Sequence, residues 1–474
     1  MTIALDPRPN AEPLVSLAFS NASESLIVQS LCRDLLIRGI NLDISAADEM
    51  LLFFLYSQGH ELEQAVAMYL DSGGRIWRTE RQILAWRFQS LSWGGAILDF
   101  ASGYGRVTRH IVADVEAERV WVADIYAEGV AFQERHLGVR GMVSTTEPED
   151  FHCDQRFDAI LVSSLFTHLP EPRFIRWLRR LTDLLSPGGV LLFSVHDMSL
   201  YPEAVAAGTG IIFRAHSESG SLDAQDYGTS WVTEAFVRAA VETVAGACPL
   251  SRIPRGLASY QDLYVVLKEP AGGSTVALPA LRLEREADGF LEHCSWTGRR
   301  SLRLSGWIGD RVTGKPPGEV LVRIDGRQVA TCRNLERRPA VGEAFASDPM
   351  EVVGWQATVD LPASSTHESA HLSVWGVSSA GEELRLYSGP VLWACLRSSQ
   401  LDTVMVYQQL RRQEAVCDER LEQQRLQHEA CRAASAAEAA ALDRRVRGME
   451  ASRFWKARNL WFRMKRAAGL TDEP

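Results

Sequence analysis

Residues 97–106, ILDFASGYGR, begin as an apolar run that contains an acid and continue as a series of small residues. The acid is Asp99, and small side chains follow it at alternate positions: Ala101, Gly103 and Gly105. Small residues leave the backbone bare, and a bare backbone beside a strand end indicates that something comes very close to it. A predicted helix follows, and its N-terminus offers backbone N–H groups to a ligand. We therefore expect a ligand site in this loop.

A second acid follows the next apolar run. Asp124 ends the stretch RVWVAD, 19 residues after Gly105. A carboxylate at this spacing can accept hydrogen bonds from both hydroxyls of a ribose, as in sites for dinucleotides and for S-adenosylmethionine. The dinucleotide pattern G-x-G-x-x-G needs a third glycine, and Thr108 stands there instead. The spacing therefore disfavours a dinucleotide and, with it, an oxidoreductase.

The loop resembles motif I of class I S-adenosylmethionine-dependent methyltransferases, with alanine in place of the first glycine. Further stretches resemble the family in the right order. FDAILVSSLFTHLPE is similar to the fourth-strand motif, LLSPGGVLLFSVHD to the helix, turn and fifth strand, and GLASYQDLYVVLK to the antiparallel last two strands. The resemblance covers residues 95–268 and implies an α/β, Rossmann-like domain with a seven-stranded, mostly parallel sheet.

The resemblance also implies the cofactor S-adenosyl-L-methionine and its contacts. The loop 101–105 would hold the amino-acid end and Asp124 the ribose, while the loop after the fourth strand would flank cofactor and acceptor. The third-strand stretch GMVSTTEPEDF is a poorer match and gives the adenine contact. The predicted cofactor-binding residues are Asp99, Ala101, Ser102, Gly103, Gly105, Asp124, Ser144, Ser163, Ser164 and Leu165.

Two histidines stand at predicted carboxyl ends of strands, where open α/β sheets bind ligands. His168 follows the fourth strand, and His196 ends the fifth beside Asp197. Methyl transfer to an oxygen of high pKa needs a base to take the proton, so both are candidate catalytic residues. A capping or packing role is the alternative for each. Arg106 would anchor an acidic acceptor or the cofactor carboxylate, or else begin a solvated helix.

The composition bounds the partners. The 474 residues include 50 basic and 60 acidic side chains, a net charge of −10 that disfavours nucleic acid. Eight cysteines without a CxxC pair are typical of free thiols in a reducing cytosol, and the sequence offers no metal cluster. No signal peptide and no apolar run of membrane-spanning length is evident. These features predict a soluble, cytoplasmic protein.

Shifts in composition divide the chain into seven regions. The predicted regions are a flexible leader at 1–20, a helical cover at 21–94, the methyltransferase domain at 95–270, a linker at 271–279, an accessory β-sandwich at 280–395, a long helix or coiled coil at 396–450 and a basic aromatic tail at 451–474. In the sandwich, Asp325 and Gly326 predict a hairpin turn. Trp307 and Trp355 could stack on sugars, although core packing is favoured for both.

The cover carries two local predictions. Ser45, with Asp48 three residues later, predicts a helix start. The stretch DSGG at 71–74 predicts a helix break. At this break, Tyr69, Ser72 and Gly73 would close over the cofactor, or they would form a helix end with a buried tyrosine.

The tail interleaves basic and aromatic side chains over residues 453–466. Such a helix fits an anionic surface at the inner membrane, or it packs on its own protein or on a coiled-coil mate. Similar tails occur in bacterial proteins of surface-polysaccharide assembly, and this resemblance implies a sugar, a glycan or another small hydroxyl compound as the acceptor. The coiled coil predicts a homo-oligomer or a hetero-complex. The alternative function is a methyltransferase-like scaffold that binds the cofactor weakly or not at all.

Overall fold

The structure is a computed structural model, and its chain divides into two compact units, Met1–Val404 and Met405–Pro474. The described residues are 14–15, 35, 38–57, 62–201, 209–215, 222–246, 248–258, 260–269, 280–281, 283–297, 301–339, 350–360, 369–392, 460–461 and 463–467. The predicted leader, except for 14–15, the linker at 271–279 and the long helix at 396–450 lie outside the described residues.

The N-terminal part combines a short strand pair with helices. Its elements are β1 (Leu14–Val15), β2 (Ile44–Ser45), α1 (Glu49–Leu52), a π-helical turn (Phe53–Ser57) and α2 (Leu62–Phe88). The predicted helix start at Ser45 is wrong, because Ser45 belongs to β2. The carboxylate of Asp48 accepts hydrogen bonds from the N–H groups of Met50 and Leu51, at 2.9 and 3.3 Å, and thereby caps α1.

Helix α2 runs through the stretch DSGG without interruption, so the predicted break is wrong. The glycine at 73 instead allows another segment of backbone to pack closely against the helix. A Cβ at Gly73 would overlap the carbonyl oxygen of Arg106, in the loop after the first strand of the main sheet. Tyr69 is buried, as the second alternative expected, but it lies inside the helix and donates its hydroxyl to Asp48 at 2.6 Å.

Replacing Gly73 with alanine is expected to destabilise the fold by about 1–3 kcal/mol, because the new methyl group meets backbone that cannot move away. Helix propensity alone predicts a gain of about 1 kcal/mol for the same change. Gly74→Ala is the matched control, since its Cβ would lie 3.2 Å from the flexible end of Arg78 and 3.3 Å from the His110 ring, without overlapping any backbone atom. Thermal unfolding followed by circular dichroism measures both. A Gly73→Ala protein as stable as Gly74→Ala would contradict the close approach.

The main sheet lies in the middle of the first unit. Its strands are β3 (Ile97–Phe100), β4 (Val120–Asp124), β5 (Arg140–Val143), β6 (Phe157–Val162), β7 (Leu185–Asp197), β8 (Ile211–Arg214), β9 (Thr229–Val232), β10 (Leu250–Leu257) and β11 (Gln261–Leu267). Seven of them follow the order β10-β11-β7-β6-β3-β4-β5, with the five from β7 to β5 parallel and β10 and β11 antiparallel. The predicted Rossmann-like fold is confirmed.

Helices cover both faces of this sheet. They are α3 (Thr108–Asp114), α4 (Ala127–Leu137), α5 (Glu171–Leu184) and α6 (Glu234–Ala245), together with α2. Leu98 of β3 packs in a core with Trp177 of α5 and Val237 of α6, whereas its neighbour Ile97 packs with helices α2 and α3. Because both faces are buried, the inner parallel strands β3, β4 and β6 are mostly apolar, whereas the edge strand β5 has an exposed Arg140.

Two further strands extend the sheet beyond the end of β7, and the sequence analysis did not predict them. β9 runs parallel to the last two residues of β7, with His196 opposite Trp231, and β8 pairs antiparallel with β9. The residue before β9 is Gly228, where a Cβ would overlap the carbonyl oxygen of Arg214. This addition brings residues 222–228 to the carboxyl ends of the parallel strands.

Two four-stranded antiparallel sheets follow. Their strands are β12 (Asp288–Trp296), β13 (Ser301–Gly309), β14 (Glu319–Ile324), β15 (Arg327–Cys332), β16 (Glu336–Arg337), β17 (Val352–Asp360), β18 (Ser369–Val377) and β19 (Glu383–Leu392), in the orders β12-β13-β17-β16 and β15-β14-β18-β19. The predicted hairpin turn is confirmed, with Asp325 and Gly326 at φ 49° and 77° between β14 and β15. Trp355 is buried and Trp307 half-buried. The boundaries 280–395 stay a prediction.

Arg75 of α2 joins these sheets to the rest of the unit. Its guanidinium donates to the carbonyl oxygens of Ala287 at 2.6 Å and Leu386 at 3.0 Å, and to the carboxylate of Asp71 at 2.7 Å. Helix α2 therefore contacts both the main sheet and the two smaller sheets.

In the second unit, residues 460–461 and 463–467 are helical, and the rest of the predicted tail lies outside the described residues. Leu460, Trp461 and Met464 are exposed, and Lys465 Nζ lies 4.9 Å from the ring centre of Trp461. None of the helices in the described part of the chain is long and apolar enough to cross a membrane.

Candidate active site

A cavity of about 420 Å³ lies at the carboxyl ends of β3, β4, β5 and β6. All predicted site residues line it except Gly105 and His196. Residues of other regions also line it: Asp48, Glu49 and Met50 at α1, Tyr104, Arg106 and Val107 before α3, Ile125 and Tyr126 after β4, Thr145 and Thr146 after β5, Leu169, Arg173 and Trp177 at α5, and Leu222, Asp223, Asp226 and Tyr227 before β9. The cavity therefore joins the loop after β3 to the strand addition near β9.

The loop after β3 has the left-handed backbone that its small residues allow. Ala101, Gly103 and Gly105 have φ values of 59°, 58° and 87°. A Cβ at Gly103 would meet nothing within 4 Å, so its backbone faces open space, as the sequence predicts for a ligand-contacting loop. At Gly105 a Cβ would lie 2.9 Å from Leu137, which places this glycine against α4 instead of in the cavity.

Asp124 lies at the end of β4 and is held by the backbone. One carboxylate oxygen accepts a hydrogen bond from the Gly103 N–H at 2.7 Å, and the other accepts one from the Tyr126 N–H at 3.0 Å. Burial raises the pKa of this carboxyl group, and these backbone donors lower it. A carboxylate has about four acceptor positions, so about two remain for a ligand.

Asp99 is fully buried and linked to Thr108 and Gln133. The Thr108 hydroxyl oxygen lies 2.7 Å from both Asp99 Oδ2 and Gln133 Oε1. Gln133 Nε2 donates to Ser102 Oγ and to the Gly103 carbonyl, which fixes Oε1 towards Thr108. One hydroxyl proton cannot fully serve both acceptors, so the Asp99 carboxylate shares its Thr108 hydrogen bond with Gln133. Burial, with the nearby Asp124 charge, raises its pKa to about 7.

A half-buried arginine lies beside this acid. Arg106 Nη1 donates to Ser72 Oγ of α2 at 3.0 Å, and Arg106 lines the cavity. Burial lowers the pKa of the guanidinium, while Asp99 and other nearby acids raise it. These contacts favour the anchoring alternative for Arg106 over a solvated helix start, and its contact to a ligand stays a prediction.

The loop after β6 presents its residues in different directions. Ser163 Oγ donates to Glu80 Oε1 of α2 at 3.2 Å. Ser164 has a left-handed backbone with φ 70°, and its N–H donates to Ser194 Oγ at 2.8 Å. Ser144, after β5, donates its N–H to the Asp124 carbonyl at 2.8 Å. These residues line the cavity as predicted, and their contacts to a cofactor stay predictions.

His168 lines the cavity and is firmly oriented. Its Nδ1 lies 2.7 Å from the Gly228 carbonyl oxygen, which can only accept, so Nδ1 carries the proton and Nε2 has the lone pair. The ring also stacks on Tyr227, with centroids 4.5 Å apart. The Gly228 N–H in turn donates to the His168 carbonyl at 2.9 Å. The neutral tautomer is that of a base with a basic Nε2.

His196 does not line the cavity. It packs between Tyr260 and Trp231, with ring centroids 5.4 and 6.2 Å away, because the addition of β9 covers the end of β7. Burial lowers the pKa of His196 to about 3. The adjacent Asp197 does not orient it, since Asp197 pairs with Arg252 at 2.8 Å. The structure thus brings His168 and not His196 to the site.

The sequence analysis missed several residues of the site. Glu80 and Gly228 are the most consequential, because they contact Ser163 and His168. Arg173 lines the cavity and pairs with Asp226 at 3.1 Å. Glu80 lies in an amphipathic helix where solvated acids are common, so its pattern carries no signal. Gly228, just before β9, could have drawn attention, since glycine often marks a close approach.

Residues 97–189 match the family model described as a methyltransferase domain. The match supports a methyltransferase with S-adenosyl-L-methionine as its cofactor, whereas the predicted domain bounds 95–270 stay a prediction. The acceptor, the oligomeric state and the roles of individual residues stay predictions.

The chain is also similar to solved structures. One is DhpI in complex with SAH, at 18% identity, 47% of this chain, 97% of that chain and a TM-score of 0.32. Another is the 1,6-didemethyltoxoflavin-N1-methyltransferase of Burkholderia thailandensis with bound 1,6-didemethyltoxoflavin and S-adenosylhomocysteine, at 18% identity, 48% of this chain, 92% of that chain and a TM-score of 0.29. Likenesses this weak say nothing about the substrate here. No curated protein matches the chain.

Proposed function

We propose that the chain transfers the methyl group of S-adenosylmethionine to a hydroxyl oxygen of a small polar acceptor, and that this acceptor is a sugar or a glycan precursor. The observation that carries the proposal is a single cavity that joins the Asp124 carboxylate, after β4, to the imidazole of His168, after β6. The first group suits a ribose and the second suits proton transfer from a hydroxyl.

The residues at the cofactor end fit the proposed group. Asp124 keeps acceptor positions for two ribose hydroxyls while Gly103 and Tyr126 hold it in place. The amino-acid end of the cofactor carries an ammonium and a carboxylate group. Arg106 offers a half-buried cation for the carboxylate, and Asp99 offers an acid for the ammonium group. The charges of the site therefore complement both ends of a zwitterion.

S-adenosylmethionine, when bound, supplies a methyl carbon on a positively charged sulfur. The residues of this chain supply position and a base. An acceptor hydroxyl within hydrogen-bond reach of His168 Nε2 would give its proton to that nitrogen while the methyl carbon exchanged its bond to sulfur for a bond to the oxygen. The Gly228 carbonyl holds the opposite ring nitrogen and stabilises the resulting imidazolium.

The polar lining near His168 supports a hydroxyl-rich acceptor. Asp223 and Asp226 line the cavity beside Tyr227, and Arg173 holds Asp226. Carboxylates accept hydrogen bonds from several hydroxyls, and aromatic rings pack against the apolar faces of sugars.

Titration calorimetry with S-adenosylmethionine, S-adenosylhomocysteine and NAD in parallel tests the cofactor. We expect binding of the first two and none of NAD. A panel of sugar and non-sugar hydroxyl compounds then tests the acceptor, with S-adenosylhomocysteine formation as the readout. A folded protein that binds none of the three nucleotides would favour the scaffold.

Gly228→Ala is expected to lower methyl transfer about 100-fold and to leave S-adenosylhomocysteine affinity unchanged, because displacing the base is costly even over about 1 Å. The new Cβ would overlap the Arg214 carbonyl and shift the backbone that holds His168. Gly318→Ala is the control, since its Cβ would meet nothing within 4 Å. Turnover equal to that of the control would mean that Gly228 does not position His168.

The tail and the coiled coil enter this proposal as its cellular context. Exposed Trp461 and Met464 beside Arg463 and Lys465 support peripheral contact with an anionic membrane. Co-sedimentation of the full chain with anionic and neutral vesicles tests this contact, and binding to neither would contradict it. Oligomerisation through 396–450 rests on the sequence alone, and sedimentation velocity tests it.

A further inference from the structure

A buried carboxyl group lies directly behind the wall of the cavity. Glu80, in the second half of α2, is 1% exposed. Its Oε1 accepts the hydrogen bond from Ser163, and its Oε2 is buried without a hydrogen-bond partner in the described part of the chain. An unpartnered buried oxygen costs free energy, so its presence calls for a functional reason.

The surroundings of Glu80 contain a second acid and one cation. Asp99 of β3 and Arg106 of the following loop both act electrostatically on Glu80. Burial and the Asp99 charge raise the pKa of Glu80 well above its usual range, while the Ser163 hydrogen bond and Arg106 lower it. The two carboxyl groups thus oppose each other's ionisation.

Other charged groups reach this pair from the remaining elements. Asp124 of β4 raises the pKa of Asp99, and Glu49 of α1 raises that of Asp124. Asp48, before α1, and Tyr69 of α2 act on Arg106. Among the groups that act on Glu80 and Asp99, Arg106 is the cation. The environment therefore favours the protonated forms of both acids in the absence of a further cation.

The hydrogen bonds of Asp99 stabilise its charged form only in part. The Thr108 hydroxyl lies 2.7 Å from Asp99 Oδ2 and from Gln133 Oε1, and its single proton cannot fully serve both acceptors. Asp99 lines the cavity, and Glu80 lies behind Ser163, which also lines it. A cation bound beside Asp99 would thus face two buried acids that can each lose a proton.

We propose that Glu80 and Asp99 form a proton-releasing pair for the ammonium group of the cofactor, in which Glu80 acts as a positioning residue through Ser163 and sets the charge of the pocket. This inference rests on the proposed function, because it assumes a cofactor with an amino-acid end. On binding, a neutral carboxyl group gives its proton to solvent and becomes a carboxylate, and the ammonium group keeps its own protons. The pocket gains one negative charge for the positive charge that it buries.

Calorimetric titration of S-adenosylhomocysteine at pH 7 in two buffers of different ionisation enthalpy measures the protons released. We expect release of about one proton by the wild-type protein, because a carboxyl group changes charge on binding. The analogue of S-adenosylhomocysteine that lacks the amino group is expected to release none. Equal release by both ligands would overturn the inference without any variant.

Glu80→Gln adds a test of the residue itself. It is expected to lower S-adenosylhomocysteine affinity about tenfold, the equivalent of one pKa unit of coupling, and to change affinity for the analogue less than twofold. Glu128→Gln, at an exposed position of α4, is the matched control. A merely structural Glu80 would weaken both ligands alike and leave proton release unchanged.

The pH dependence of stability further separates a proton-releasing Glu80 from a merely structural Glu80. A carboxyl group with a raised pKa favours folding below its unfolded pKa, and this contribution is lost as the pH rises through the folded value. Removing Glu80 is therefore expected to help the ligand-free protein more at pH 8 than at pH 5. If wild-type protein binds no S-adenosylhomocysteine, the proposed function fails. If it binds without releasing protons, only the present inference fails.

Discussion

Asp124→Ala is expected to weaken S-adenosylhomocysteine binding by at least about 100-fold while the fold stays intact. The carboxylate is fixed by the N–H groups of Gly103 and Tyr126 at 2.7 and 3.0 Å. Its remaining acceptor positions would take both ribose hydroxyls, and each hydrogen bond to a charged group contributes about 1.5–3 kcal/mol. Two such bonds correspond to a factor of about 100 or more.

The fold is expected to tolerate the change because the lost carboxylate is itself a buried charge. Burial raises the pKa of Asp124, so part of its hydrogen-bond energy is offset by desolvation. Calorimetry measures affinity and circular dichroism measures the melting temperature. Asp124→Asn keeps the shape of the side chain and one acceptor oxygen. Its affinity for S-adenosylhomocysteine should therefore lie between those of the wild-type protein and Asp124→Ala. Exposed Glu128→Gln is the matched control. Unchanged affinity in Asp124→Ala would remove the ribose assignment.

Local sequence signals were sufficient for the main sheet and the loop after β3. Apolar runs buried on both faces mark parallel strands, and alternate small residues after Asp99 mark a backbone that something approaches. Both signals lie within a few residues of the structure that they predict. The same holds for the hairpin at Asp325 and Gly326, where two residues set the turn.

Contacts between distant segments were not predictable in this way. The sequence around Gly73 is typical of a helix break. In the structure, Gly73 lacks a side chain because the Arg106 carbonyl, 33 residues further along the chain, packs against it. Glu80 looks like one more solvated acid of an amphipathic helix, and only the packing of α2 on the sheet shows that it is buried. Tertiary packing decides both cases, and it overrides helix propensity.

The two histidines show the same limit within the site. His168 and His196 both follow or end a parallel strand, so the sequence gives them equal standing. The strands β8 and β9 separate them, because Trp231 of β9 packs over His196 while Gly228, just before β9, holds His168 in the cavity. No pattern near either histidine reports this addition.

His168→Asn is expected to lower the rate of methyl transfer by about 100- to 10,000-fold, the usual contribution of a positioned base. The asparagine amide can still donate to the Gly228 carbonyl, so the variant keeps the hydrogen bond of Nδ1 and loses only the basic Nε2. Cofactor binding should be unaffected, because the loop after β3 and Asp124 are untouched. Formation of S-adenosylhomocysteine with the first acceptor found in the panel measures the rate.

Two comparisons show whether the lost nitrogen is the base. His152→Asn, at an exposed position, should match the wild-type rate. His196→Asn should also retain most of the activity, because His196 is packed outside the cavity.

The reverse pattern would have a definite meaning. If His168→Asn kept its turnover, the stacking of His168 on Tyr227 would be a packing interaction, and catalysis would rest on positioning alone. Such an enzyme would need an acceptor that loses its proton without help, which a sugar hydroxyl of high pKa does not. The proposal of a hydroxyl acceptor therefore depends on the role of His168 as the base, and the same experiment tests both.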